Sequence, residues 1–312
     1  MRREARPMQA KRWKILYLLV GLACGCAVAT PKKPSTPVAP VLTPTSVKPV
    51  VVRPFPRELI FSLVKKWTQG FSGRSGVVCG LLTELDPVVH RADDSFEAAS
   101  LVKLPILVEL ARRQERGLCK LADGLTFEER HRVGGSGVLK DRPAGQSYRL
   151  DQLAEWMIAE SDNVATDMLL EYLGLSSIEG EMVRLGLKQT TVQRKVFAFE
   201  EIDQGRDNLI SAADAATLLR GIATHQLPGS AWMLEVLHKT RRRDLLAAQL
   251  PADLKVAHKT GELTGFLHDA AIVYADPPYL LVILSAADKP ASEKFIQGLS
   301  GDIYRALSAS RH

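Results

Sequence analysis

Between residues 57 and 69 the apolar positions fall at Leu59, Ile60, Leu63, Val64 and Trp67, the spacing of one helical face, so a helix is predicted there that stops at Gly70. The β-forming runs 76–84 and 88–92 flank Asp86-Pro87 and predict a hairpin. Helical periodicity then dominates near 100–116, 150–159, 163–173, 177–184 and 211–224. Three further strands are expected over 255–258, 270–274 and 279–284, with Asp276-Pro277-Pro278 as the turn between the last two. Phe295, Leu299, Ile303 and Leu307 recur every fourth residue and predict a closing amphipathic helix over 292–307. Strands at both ends of a helical middle imply an α/β fold: one sheet built from distant segments, flanked by helices, with an all-helical subdomain inserted into it. The chain shows no internal repeat and no GxGxxG fingerprint.

The first 56 residues follow other rules. Six bases (Arg2, Arg3, Arg6, Lys11, Arg12 and Lys14) precede an uncharged, largely apolar run of 15 residues from Ile15 to Ala29. A membrane-spanning helix needs about 20 such residues, so residues 1–29 read as a secretory or lipoprotein signal. Two processing signals overlap at its end. Ala23-Cys24-Gly25-Cys26 resembles a bacterial lipobox, with Ala23 where leucine is usual, and would tether the protein to a membrane by a lipid on Cys26 or Cys24. Ala27-Val28-Ala29 fits ordinary A-x-A cleavage and a soluble product. Both routes deliver the body outside the cytoplasm, to the periplasm or the cell surface. Eight of the 26 residues from Pro31 to Pro56 are proline, so 30–56 is expected to be an extended linker and 57–312 the folded body.

Charge separates along the same boundary. The chain carries +6 overall, of which residues 1–25 hold +5 and residues 26–56 hold +4, leaving −3 on the body. A mildly acidic body implies no nucleic-acid partner. At 46% hydrophobic and 24% charged, the composition supports a sizeable core and excludes a disordered or collagen-like chain. Cys79 and Cys119 are the only cysteines outside the signal; two separately buried thiols are expected, with one disulfide as the alternative. The seven histidines show no HExxH or paired-ligand spacing, so neither a metal nor another cofactor is expected.

Three short motifs carry the chemistry. Ser100-Leu101-Val102-Lys103 puts a hydroxyl and an amine three residues apart on a helix, where an amine of lowered pKa can take the hydroxyl proton. The tetrapeptide recurs as Ser62-Leu63-Val64-Lys65 before the hairpin, so the pattern alone means little. Ser161-Asp162-Asn163 separates two helical stretches; its hydroxyl and amide suit proton relay and substrate orientation, and equally its residues suit a helix N-cap. Lys259-Thr260-Gly261 follows a strand-like run and offers a cation and a hydroxyl to a carboxylate, beside a residue without a side chain. All three in this order arise by chance about once in a thousand chains.

With the three together, 61 and 98 residues apart, the chain resembles the serine β-lactamase and penicillin-binding-protein superfamily, and class A β-lactamases most closely, over about residues 57–310. Gly135-Ser136-Gly137-Val138 and His268-Asp269 add to the likeness. The resemblance implies an antiparallel sheet flanked by helices and an acyl-enzyme mechanism. Ser100 would attack a β-lactam or D-alanyl carbonyl, with Lys103 as general base or its helper. Ser161 would pass a proton to the leaving nitrogen, Asn163 would orient the substrate, and Lys259 and Thr260 would hold its carboxylate beside Gly261. The backbone N–H groups of Ser100 and Glu262 would form the oxyanion hole.

One departure bears on function. The family's deacylation loop reads R-x-E-x-x-L-N, whereas the matching stretch keeps Arg194 but puts Val196 at the glutamate position and Glu200 at the asparagine position. Valine accepts no proton, which leaves Glu200 as the candidate base, with Glu201 and Asp203 nearby, and makes slow deacylation an expectation. The leading reading is thus a monomeric, exported serine hydrolase of β-lactamase type. The alternatives are a D,D-peptidase acting on peptidoglycan peptides and a non-enzymatic binder of muropeptides or β-lactams.

Overall fold

The computed structural model of the protein describes residues 55–309. The expected signal, the lipid tether and the linker apart from Phe55 and Pro56 lie outside the described residues. The body opens with α1 (Arg57–Gln69), β1 (Arg74–Leu81) and β2 (Val88–His90). Its middle holds β3 (Ser95–Glu97), α2 (Lys103–Glu115), β4 (Gly124–Thr126), β5 (Ser147–Arg149), α3 (Leu150–Ala159), α4 (Asn163–Leu173) and α5 (Leu175–Arg184). Then come β6 (Leu209–Ser211), α6 (Ala212–Ala223) and α7 (Ser230–His238), and the chain returns as β7 (Val256–Leu263), β8 (Phe266–Val273), β9 (Tyr279–Ala286) and α8 (Lys289–Ala309).

The five-stranded sheet runs β2-β1-β9-β8-β7, antiparallel throughout. Pairing of β1 with β9, from Arg74 opposite Ala286 to Leu81 opposite Tyr279, joins the two ends of the body. Both faces of the sheet are covered, so its strands are continuous apolar runs divided by the two-residue period. In β9, Tyr279, Leu281 and Ile283 pack toward α1 and α8, while Leu280, Val282 and Leu284 face the helical subdomain. Cys79 lies in the first of these cores and Cys119 in the second; both thiols are free, and burial pushes that of Cys79 up to about 12.

α2 runs through the centre of the helical subdomain, with nine consecutive buried residues from Lys103 to Ala111. A helix apolar on all sides needs neighbours on all sides, and α3, α4, α5, α6 and α7 supply them. Pro105 is accommodated because it sits in the first turn, where its missing N–H has no intrahelical partner to lose.

Two features depart from the sequence pattern. β7 extends to Leu263, so Lys259-Thr260-Gly261 lies inside the strand and does not follow it. The pairs β3–β6 and β4–β5, of three residues each, are too short to show a period, and the nine-residue α7 lacks a strong one.

On the outer face, α1 and α8 meet where Trp67 crosses Gly298. A Cβ on Gly298 would overlap the Trp67 ring, whose Nε1 donates to Asp302 Oδ2 at 2.7 Å. Gly298→Ala is therefore expected to lower the unfolding free energy by about 1–3 kcal/mol despite alanine's better helix propensity. Denaturant melts would show it, and an unchanged or raised midpoint would refute the close packing.

Candidate active site

Ser100 sits in the 3-10 turn Ala99–Val102 that leads into α2. At three residues per turn the side chains of i and i+3 eclipse, so Ser100 and Lys103 point the same way and Lys103 Nζ lies 3.1 Å from Ser100 Oγ. The identical tetrapeptide on α1 is not so placed: Ser62 is exposed, its Oγ donates to Glu58 O within the helix, and Lys65 is exposed too.

Lys103 is completely buried, and three more oxygens surround its amine: Ser161 O at 2.7 Å, Ser161 Oγ at 3.0 Å and Asn163 Oδ1 at 3.0 Å. The carbonyl and the amide oxygen can only accept, so they take two N–H donors; the third position of the amine faces the two serine hydroxyls. None of the four oxygens belongs to a carboxylate. Burial therefore holds the amine well below the ordinary lysine range, and the neighbouring Lys259 adds to this, against the pull of Asp162 and Asp167. A neutral amine in that position carries a lone pair aimed at the hydroxyls and can take a proton from Ser100.

Ser161 Oγ donates to Ser100 Oγ at 2.8 Å, and Lys259 Nζ donates to Ser161 Oγ at 3.2 Å and to Thr260 O at 2.9 Å. The three motifs thus form one contact chain. Lys259 is also buried, which lowers its amine to about 7; Asp269 opposes the shift and Arg242 adds to it. Gly261 lets β7 approach the turn that carries Ser100, since a Cβ there would lie 3.2 Å from Ala99 Cβ and 3.3 Å from Ala98 O.

Asp162, the middle residue of its motif, is the N-cap of α4: Oδ1 accepts from Ala165 N at 2.9 Å, and Oδ2 from Val138 N at 2.6 Å and Leu139 N at 2.8 Å. Capping and contact with Lys103 and Ser100 therefore coexist within one tripeptide. Gly137, at φ 117°, passes so close that any Cβ would overlap the Asp162 carboxylate. Asn163 N donates to Ser136 O at 3.1 Å and its Nδ2 to Gly134 O at 3.2 Å, which fixes Oδ1 toward Lys103. Ser161 at φ 53° and Ala99 at φ 46° are left-handed non-glycine residues, each costing about 1–3 kcal/mol, and they carry the hydroxyl that contacts Ser100 Oγ and immediately precede Ser100, respectively.

Two spaces open beside Ser100. A groove of about 530 Å³ is lined by Ser100, Ser161, Lys259, Thr260, Arg241 and Arg242 among others, within the size range of small-molecule sites. A cavity of about 190 Å³ lies toward the loop 194–208, between Ser100, Lys103 and Asn163 on one side and Val196, Phe197 and Phe199 on the other. Glu262 borders both spaces, and its carboxylate is ion-paired with Arg242 and Lys289, so what it can offer the cleft is its backbone.

The loop is closed at its base by Arg194 and Asp207, 2.7 Å apart, and by Asn208 Oδ1, which accepts from Gln193 N and Arg194 N. Val196 N donates to Asp167 Oδ1 at 3.0 Å, holding the loop against α4. Val196 faces the cavity, but Glu200 does not: it is exposed on the 3-10 turn Phe199–Gln204 and lies outside both lining sets. The expectation that Glu200 reaches the reacting centre is thus corrected: in that stretch Phe197 and Phe199, though themselves exposed, are the side chains that border the cavity. Sequence reasoning also passed over Arg241 and Arg242, whose signal is the basic run 241–243, and Asp167, Asp207 and Asn208, which carry no local signal. Among the described residues, no group of three or more His, Cys, Asp or Glu could hold a metal ion.

The fold and the contact chain together define a buried serine–lysine centre. Residues 60–307 match the family described as the β-lactamase enzyme family, and the chain belongs to it. It is 26% identical over 196 residues to extended-spectrum β-lactamase PER-1 of Pseudomonas aeruginosa, a match spanning 57% of this chain and 61% of that protein. Its fold is that of a β-lactamase from Sphaerobacter thermophilus, with a TM-score of 0.74 at 22% identity, covering 82% of this chain and 99% of that one. A mutant of PBP-A, solved as an acyl-enzyme complex with penicillin G, gives a TM-score of 0.73 at 25% identity over 81% of this chain and 97% of its own.

Because Asp162 supplies acceptors to three backbone N–H groups in a fully buried position, Asp162→Ala is expected to cost roughly 3 kcal/mol or more of stability. Equilibrium unfolding measures this; a loss below about 1 kcal/mol would show that the cap does not organise the site.

Proposed function

We propose that the protein is an exported, monomeric serine hydrolase that opens β-lactam rings through an ester on Ser100 Oγ. The observation that carries this reading is the unbroken contact chain from Lys103 Nζ through Ser100 Oγ and Ser161 Oγ to Lys259 Nζ. Neutral Lys103 takes the Ser100 proton as Oγ bonds to the ring carbonyl carbon. The N–H groups of Ser100 and Glu262 stabilise the developing oxyanion. The proton then passes by way of Ser161 to the ring nitrogen as the C–N bond breaks, while Lys259, Thr260 and the arginines of the groove attract the substrate carboxylate. Family membership supports the reading, as does the penicillin-bound state of the PBP-A mutant. The basic-then-apolar residues 1–29 support export, and the lipobox-like cysteines support a lipid tether at Cys26 or Cys24.

Release of the acyl group is the slow step in this scheme, because Val196 stands on the loop where a proton acceptor would serve the water. The same valine favours a second reading, cleavage of D-alanyl peptides of the cell wall, which uses the same acylation machinery and needs no acceptor at that position. Assay of D-alanine release against β-lactam hydrolysis separates the two.

Incubation of the full chain with penicillin G should add the mass of one penicillin to the intact protein. Ser100→Ala should abolish the adduct and Ser62→Ala should retain it. An unmodified wild-type mass with no drug hydrolysed would end the proposal.

The pH dependence of acylation has a definite sign. As pH falls, Lys103 gains a proton and the rate drops. As pH rises through about 7, Lys259 of the free enzyme loses its charge, so the second-order acylation constant for an anionic β-lactam should fall. A bound carboxylate favours the ammonium, so the saturated acylation rate should hold to higher pH. Stopped-flow profiles from about pH 6 to 9 test this; two superimposed flat profiles would contradict it.

A further inference from the structure

The 190 Å³ cavity has room for several waters at about 30 Å³ each, and it abuts the carbon that an acylated Ser100 would carry. Deacylation needs a proton acceptor in its wall, and the carboxylates around the site differ sharply in availability. Glu262 is neutralised by Arg242 and Lys289, which hold it below the ordinary range against its burial. Glu160, in the groove, faces Arg241 at 3.3 Å. Asp167 is spent on Val196 N and stands outside the cavity wall, and Glu200 is exposed to solvent.

Glu97 is different. It lines the cavity together with Ser100, Lys103, Asn163 and Val196, and among the described residues its carboxylate accepts no hydrogen bond and forms no ion pair. Its side chain is aimed from a fixed backbone. β3 alternates, so the buried Phe96 points into the core and Glu97 to the opposite side. Glu97 O accepts from His268 Nε2 at 2.9 Å, and the strand pairs Glu97 with Leu209. His268 is fully buried and lowered to about 4, so it is neutral, and with Nδ1 accepting from Ser285 N its proton resides on Nε2. The charges facing Glu97 come from several elements: Arg74 of β1, Arg194 and Asp207 of the loop, and Lys103 of α2 and Glu262 of β7 across the cavity. Burial first, then Asp207, raise its carboxyl above the usual range, while Arg194 and Arg74 pull the other way. A carboxyl raised in this way is, once ionised, a stronger base than an exposed one.

We propose that Glu97 is the general base for hydrolysis of the Ser100 ester, acting from the wall of the cavity that Val196 also lines. This rests on the acyl-enzyme reading above. Glu97 takes one proton from a cavity water as the water oxygen bonds to the ester carbon, giving a tetrahedral oxyanion. As the oxyanion collapses, the bond from carbon to Ser100 Oγ breaks and the proton returns from Glu97 to Oγ. The acid product leaves, its remaining proton is lost to solvent, and the enzyme is regenerated. Turnover thus survives the loss of a carboxylate on the loop, at a lower rate.

The test follows formation and decay of the penicillin G adduct by intact-mass spectrometry on the full chain and its Glu97→Gln and Glu200→Gln variants. Glu97→Gln should acylate at a rate near that of wild type, which also certifies its fold, and should release the acyl group about a hundredfold more slowly. Glu200→Gln should match wild type in both steps. The wild-type decay rate should rise with pH through a carboxyl ionisation that the Glu97→Gln profile lacks. Wild-type acylation with decay in Glu97→Gln within about threefold of wild type overturns the assignment of Glu97 alone. Absence of any wild-type adduct or hydrolysis overturns the acyl-enzyme reading, and this assignment with it.

Discussion

Lys103 Nζ is shut away from water with four oxygens within 3.1 Å, none of them a carboxylate. Burying an ammonium without a carboxylate partner is costly, and the amine answers by losing affinity for its proton. Three of these contacts, to Ser161 and Asn163, tie the start of α2 to the junction of α3 and α4, so the amine placed beside the Ser100 hydroxyl also holds the two segments in register. A second buried amine, Lys259, reaches the cluster from the sheet and depresses Lys103 further. The reactivity of the centre and its cohesion therefore have one cause, which is polar burial around Nζ.

Such a centre has to be imposed from outside, and the surrounding structure does so. Ala99 and Ser161 are held in left-handed conformations that neither would adopt freely. The strain persists because Asp162 clamps three backbone N–H groups next to Ser161 and because β7, thinned by Gly261, presses on the turn before Ser100. Asp162 contributes no chemistry itself. It orients the hydroxyl before it and the amide after it.

The space around Ser100 is divided in two. On the proposed acyl-enzyme reading, the groove with Lys259, Arg241 and Arg242 would take an anionic substrate and the smaller cavity would take water. What borders the cavity would then decide how an acyl group leaves, and there the loop contributes apolar Val196, Phe197 and Phe199. Acylation and deacylation have separate barriers, so one wall can change without harming the first step. The ion pair of Arg194 with Asp207 keeps the loop closed whatever residue it presents at 196.

Much of this was legible in the residue pattern. The helix over 57–69 is found where the apolar spacing puts it, and the sheet strands and closing helix are found with edges moved by a few residues, because periods of 2 and 3.6 are local properties of the chain. The three motifs were readable as well, and so was the absence of a glutamate at 196. Sequence could not tell Ser62 from Ser100 on local grounds, since the tetrapeptides are identical; burial of Lys103 and exposure of Lys65 decide it. Nor could it place Glu200, whose spacing suited the site while its backbone turns it to solvent, or Glu97, three residues before the nucleophile with no motif around it. Local periodicity and short motifs determined the elements and the kinds of chemistry on offer. Which side chains share a cavity, and which amine loses its water, depended on contacts spanning 58 to 98 residues, and only the packed structure fixes those, because desolvation belongs to the assembled core and to no single segment.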